Sequence, residues 1–137
     1  MDKSTLQSFE QSLARCMADP GFLDRFYGTF LASSPKVREK FAHTDFARQK
    51  QMLQASFSLM LRAAQNEGSG PPTYLDDLAR RHGSKELDIG ADLYDLWLDS
   101  LLEAVRVCDP ACTPAVEQAW EKVMGIGIAY LTTRYRA

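Results

Sequence analysis

The chain has only three cysteines, Cys16, Cys108 and Cys112, an odd set that argues against a disulfide framework. Two of them lie close together in Cys108-Asp109-Pro110-Ala111-Cys112, but no second pair and no nearby histidine completes a zinc or redox constellation. Free thiols are expected. An excess of one charge is also missing: 16 Lys and Arg are mixed with 18 Asp and Glu, for a net charge of −2. Without a basic stripe, nucleic acid is not an expected partner. No apolar run is long enough to cross a bilayer, and Met1-Asp2-Lys3-Ser4 leads into an amphipathic segment rather than a signal core. A cytoplasmic location with no membrane partner is the expectation. Neither a Gly-rich phosphate loop nor a Ser-His-acid order is present, and neither His43 nor His82 has zinc-site spacing. Val and Ile are scattered and nothing alternates with period two, so strands are not expected.

Helical periodicity is abundant instead. A chain of 137 residues that is 45% hydrophobic suits one domain, residues 1–137, with a single core. Ser4 and Gln7 read as a capping box for a helix to Met17, with Leu6, Phe9, Leu13 and Met17 on one face. From Gly21 to Ala32, Phe22, Leu23, Phe26, Tyr27, Phe30 and Leu31 form an apolar face too wide for one neighbour, which places this helix deep in the fold. Ser34-Pro35 starts a short helix in which Val37 and Phe41 are one turn apart, and the chain then turns at Phe41-Ala42-His43-Thr44. His43 reads as a solvated corner residue.

The stretch from Asp45 to Asn66 carries a stripe of Phe46, Leu53, Phe57, Met60, Leu61 and Ala64, with Gln49 on the stripe's side one turn before Leu53. Two later helices follow, from about Ala91 to Val107 and from Thr113-Pro114 onward. Gly125 and Gly127 inside the last one each cost about 1 kcal/mol against alanine, so their expected use is to let another helix approach closely. Apolar residues on these two helices suit either core or a dimer seam, which leaves monomer and homodimer both open.

Between these lies Pro71-Pro72-Thr73-Tyr74-Leu75-Asp76-Asp77-Leu78-Ala79-Arg80-Arg81-His82-Gly83-Ser84, a helix with its ends marked in the sequence. Thr73 is the expected cap, the two aspartates sit near the positive end, the two arginines near the negative end, and Gly83 suits the exit. Leu75, Leu78, Ala79 and His82 share one side. A histidine on such a face is more often a packed core residue than a ligand. The total of six or seven unequal helices, one of them very short, is not a four-helix-bundle pattern and suggests all-α packing at steep angles around a pocket.

From Phe22 to Tyr135 the order of particular residues resembles bacterial single-domain globins, similar to the haem domain of flavohaemoglobins. Four segments carry the likeness: Phe26-Tyr27-Gly28-Thr29-Phe30, Pro35 through Phe41, Thr44-Asp45-Phe46-Ala47-Arg48-Gln49-Lys50-Gln51-Met52-Leu53, and Leu78-Ala79-Arg80-Arg81-His82-Gly83. The resemblance implies a globin fold around haem b (iron protoporphyrin IX), with His82 as the iron ligand. It implies Tyr27 as a distal tyrosine, Phe41 flat on the porphyrin, Gln49 beside the gas ligand and Leu53 above the ring. Gln49 is preferred to Gln51 because it shares the Phe46–Leu53 face, while Tyr27 also fits an ordinary buried phenol bonded to a backbone carbonyl. Phe46, Leu78, Tyr94 and Trp97 complete the expected cofactor lining.

A site of this kind takes diatomic gases (O2, NO, CO), and donors such as the Tyr27 hydroxyl and the Gln49 amide favour dioxygen over carbon monoxide. Two such bonds, at about 1.5–3 kcal/mol each, suit a scavenger or sensor better than a carrier. Nitric oxide dioxygenation would need a separate reductase, because flavin and nicotinamide domains are absent from the sequence. Tyr94 matches the family's proximal tyrosine, but the stretch from His82 to Tyr94 is longer than in that family. No glutamate stands around Tyr135 where the other proximal partner is expected, which argues against a peroxidase-like push on the iron. The alternative readings are a haem-free globin-like signalling or interaction module and a stand-alone gas sensor.

Overall fold

The computed structural model describes residues 1–83 and 89–134. Among them are seven α-helices and no strand: α1 (Lys3–Met17), α2 (Phe22–Ser33), α3 (Pro35–Lys40), α4 (Phe46–Gln65), α5 (Asp76–His82), α6 (Ala91–Cys108) and α7 (Pro114–Thr133). The expected ends of Ser84 and Tyr135 lie outside the described residues.

Local chemistry sets most of the boundaries. Ser34 accepts from Lys36 N at 3.2 Å and Pro35 opens α3, while Asp45 accepts from Ala47 N and Arg48 N to start α4. Thr113 accepts from Val116 N ahead of Pro114 on α7. These caps satisfy amides that a helix start otherwise leaves unpaired. Two expected caps are corrected. Asp2, not Ser4, caps α1, accepting from Thr5 N at 2.7 Å, because the helix begins one residue earlier at Lys3. Thr73 caps nothing, since Thr73–Leu75 is itself a 3₁₀ turn that runs straight into α5, whose start has no side-chain cap. Gly83 does end α5, but at φ −74 and ψ 174, an extended geometry open to other residues.

One apolar cluster joins the helices, with Trp120 of α7 fully buried in it. Phe9, Phe22 and Phe57 meet the indole edge-on at centroid separations of 4.7, 6.2 and 5.8 Å. Its ring N–H donates to Ser12 Oγ at 2.8 Å, and Ser12 in turn donates to the buried Asp109 carboxylate at 2.6 Å. Arg15 completes the chain of bonds, donating to Asp109 through Nε at 2.6 Å and Nη2 at 3.0 Å. A polar thread with every partner supplied therefore fastens α1 to the α6–α7 corner inside an otherwise apolar core.

The α1 face differs in detail from the expected stripe. Phe9, Ser12 and Cys16 are its buried centre, with Leu6, Leu13 and Met17 on the flanks. Gly127 of α7 lies where α4 crosses, and a Cβ there would stand 2.7 Å from Met60 Cγ. Gly125 has open space around the same position, so only Gly127 serves the close approach expected of both. Val107, 52% exposed, is the one large hydrophobic side chain well exposed among the described residues.

Candidate functional site

The packing leaves a crevice of about 70 Å³ that is partly open to solvent. Tyr27 and Phe30 of α2, Phe41 at the end of α3, and Gln49 and Leu53 of α4 contribute to its lining. Leu78 and His82 of α5 and Leu93, Tyr94 and Trp97 of α6 contribute too, with Leu131 of α7. No lysine, arginine, aspartate or glutamate is among the described residues that line it.

His82 is held in a defined state. Its Nδ1 lies 2.7 Å from the carbonyl oxygen of Leu78, one turn earlier on α5. An oxygen there can only accept, so Nδ1 carries the proton and Nε2 keeps its lone pair. Burial, only partly offset by the Leu78 bond, lowers the imidazole below its ordinary value of 6.5 and keeps it neutral. Nε2 makes no hydrogen bond to a described residue. A neutral imidazole with one nitrogen anchored to a carbonyl and the other free is the usual state of a metal-ligating histidine.

Tyr27 is buried and donates to the backbone carbonyl of Gln49 at 3.4 Å. Burial pushes its phenol up to about 12, so at neutral pH it is a donor and not a charge. Phe41 and Phe46 pack edge-on against the Tyr27 ring at 6.2 and 5.5 Å. Phe46 packs against Tyr27 and Phe41 and is not among the described residues that line the crevice. Gln49 lines the crevice and Gln51 is exposed. The side-chain amide of Gln49 makes no hydrogen bond to a described residue. His43 is exposed.

Tyr94 lies across from α5, its ring centroid 6.5 Å from that of His82. Its hydroxyl is buried without a hydrogen-bond partner among the described residues. The acceptor for the His82 proton is a neutral carbonyl, and no carboxylate of a described residue bonds the ring. Sequence reasoning did not assign Phe30, Met52, Ser56, Met60, Ile89, Leu93 or Leu131 to the lining. Met52, Ser56 and Met60 continue the row of Gln49 and Leu53 at helical spacing, which was the available signal. Ile89 sits outside any helix and had none.

Seven helices crossed around a crevice that holds a neutral, singly anchored histidine define a helical cofactor-pocket protein. The globin family model matches residues 24–130, and the chain belongs to the globin family. No curated protein matches it. A crystal structure of a protein from Pseudomonas aeruginosa PAO1, described as structurally highly homologous to a human hemoglobin, is 42% identical over 97% of this chain and 99% of that one, with a TM-score of 0.91. Globins as a family bind haem, and the donor set here suits that group: one free imidazole nitrogen, flat aromatic and aliphatic walls, and polar hydroxyls and an amide rather than charges.

Proposed function

We propose that the chain binds haem b through His82 and takes diatomic gases on the side lined by Tyr27 and Gln49. The observation that carries this reading is the His82 ring in an apolar crevice, with Nδ1 on the Leu78 carbonyl and Nε2 free. When bound, haem supplies a ferrous iron able to hold O2, NO or CO. The protein's own groups do the rest. The Leu78 carbonyl fixes the His82 tautomer and ring plane. Phe41 and Leu53 supply apolar walls for the macrocycle and exclude water.

Tyr27 and Gln49 are the donors toward a guest oxygen. The Tyr27 bond to the Gln49 carbonyl, at 3.4 Å, is long enough to be given up for a better acceptor. A hydrogen bond to a partly charged oxygen contributes about 1.5–3 kcal/mol, so losing one donor should speed dioxygen release by roughly ten- to a hundredfold. A neutral carbonyl behind His82 favours binding a gas over cleaving an O–O bond. Nitric oxide dioxygenation in this setting draws its electrons from a separate reductase.

Absorption spectra of ferric, ferrous and CO-bound protein test the first half of the proposal. A Soret band that is lost in His82→Ala is expected, and a colourless chain that rejects added haemin would overturn it. Stopped-flow dioxygen release from wild type and Tyr27→Phe tests the second half, and equal rates would remove Tyr27 from the distal role.

A further inference from the structure

Tyr94 is 6% exposed, lines the crevice and presents a hydroxyl with no hydrogen-bond partner among the described residues. The other buried hydroxyls that could be compared with it all have partners: Ser12 donates to Asp109, Ser56 to the Leu53 carbonyl, Ser100 to the Leu96 carbonyl, and Tyr27 to the Gln49 carbonyl. A buried polar group left unsatisfied is a liability, and native proteins keep few of them. His82, the nearest titratable group by ring contact, cannot satisfy it as built: its Nδ1 is engaged with Leu78, and no bond to Nε2 forms. Among the described residues, no charged side chain lines the crevice to take the phenol proton.

We propose that Tyr94 is a guest-reading donor, its hydroxyl hydrogen-bonding an oxygen acceptor that the bound macrocycle brings into the crevice. This rests on the haem reading above and adds to it a direct role for one hydroxyl in retaining the group. The shared chemistry is an oxygen lone pair, from a carboxylate arm of the porphyrin or from a water molecule that the ring seals in. The sign of the effect follows from the asymmetry of hydrogen-bond energetics. In the haem-free chain the hydroxyl is a cost, and Tyr94→Phe removes it. In the loaded chain the same substitution removes a bond.

The test compares wild type and Tyr94→Phe in two measurements. Urea unfolding of the haem-free proteins should give Tyr94→Phe an equal or higher midpoint. Haemin-loaded proteins mixed with excess apomyoglobin should release haemin about tenfold faster from Tyr94→Phe, equivalent to about 1.4 kcal/mol. Haemin dimethyl ester separates the sources: a ratio that shrinks with the ester assigns the acceptor to a carboxylate arm, and one that persists assigns it to sealed water. Equal haemin release from the two proteins overturns the proposal. So does a haem-free Tyr94→Phe that unfolds at lower urea in proportion to its haemin loss, which would mean a packing role. A wild-type chain that takes up no haemin at all overturns the haem reading itself and this proposal with it, an outcome visible before the variant is made.

Discussion

Substituting alanine at two glycines of α7 should stabilise the fold at one and not at the other, although they are only two positions apart. At Gly127 a Cβ would meet Met60 Cγ at 2.7 Å, Cε at 3.0 Å and Sδ at 3.2 Å. Carbon atoms pack best at about 3.5–4.0 Å, so the Met60 side chain must retreat by roughly 1 Å. It has little freedom to do so, because Met60 is 3% exposed and the nearest atom is Cγ, close to the backbone, rather than the flexible tip. Overpacking of this kind costs about 1–3 kcal/mol, while alanine gains about 1 kcal/mol over glycine in a helix interior. Gly127→Ala should therefore be neutral to about 2 kcal/mol destabilising. Gly125 has nothing within 4 Å of the same position, so Gly125→Ala keeps the propensity gain of about 0.5–1 kcal/mol.

For a chain of this length 1 kcal/mol moves Tm by about 3–4 °C, and the two variants should separate by about 2–12 °C in a thermal melt. Adding Met60→Val to Gly127→Ala should recover part of the loss, a coupling that a double-mutant cycle reads directly. Because Met60 also lines the crevice, Gly127→Ala should weaken haemin uptake as well, whereas Gly125→Ala should not. If both alanines shift Tm in the same direction by similar amounts, the close approach of α4 and α7 at Gly127 is refuted.

The lowered His82 value predicts a pH dependence of the haem-free chain. The unfolded ring takes up a proton near its ordinary 6.5 while the buried ring resists, so stability is full above that pH and falls as pH drops toward the folded value; urea midpoints should show this fall, and His82→Leu should flatten it. Burial alone would raise the Asp109 carboxyl, but bonds from Arg15, Ser12 and Ala111 N outweigh it and hold the group below its ordinary 3.8. Its contribution is present above that value and lost as pH falls through the lower folded one, and Asp109→Ala should cost about 2–3 kcal/mol in denaturant unfolding at neutral pH. Among the thiols, Cys16 is fully buried and pushed up to about 12, while Cys112 is only half-buried. A thiol reagent on native protein should label Cys112 first and Cys16 last, and a fast reaction at Cys16 would contradict the packing of α1.

Helix existence was legible because periodicity, capping residues and prolines agreed. Ser34-Pro35, Asp45 and Thr113-Pro114 mark true starts, and each side chain reaches an amide of its own first turn. The two capping errors have a common physical source. Ser4 and Thr73 are both residues that cap well, but each competes with a neighbour, and the chain's path before the helix decides the winner. Asp2 reaches Thr5 N first, and the prolines before Thr73 lead into a 3₁₀ turn instead of an extended entry. Gly125 and Gly127 show the same limit, since one sequence signal covers two positions and only the crossing point of α4 tells them apart.

The crevice was harder to read because it depends on distances between helices. Gln49, Leu53, Leu78 and His82 were placed by face and Trp97 by the family resemblance, and all line it. Phe46 shares the nominal face with Gln49 and Leu53, yet it packs into the wall with Tyr27 and Phe41, because a face about 100° wide spans both the wall and what lies behind it. Ser56 escaped notice for a different reason: its hydroxyl is already bonded to the Leu53 carbonyl at 2.6 Å, so a residue that looks polar in the sequence presents an apolar outline to the crevice. The same reasoning explains why His82 alone was undecidable. Its helix position sets where the ring points, but the Leu78 carbonyl fixes which nitrogen is free, and only the spacing of α2 and α4 from α5 and α6 leaves room in front of it.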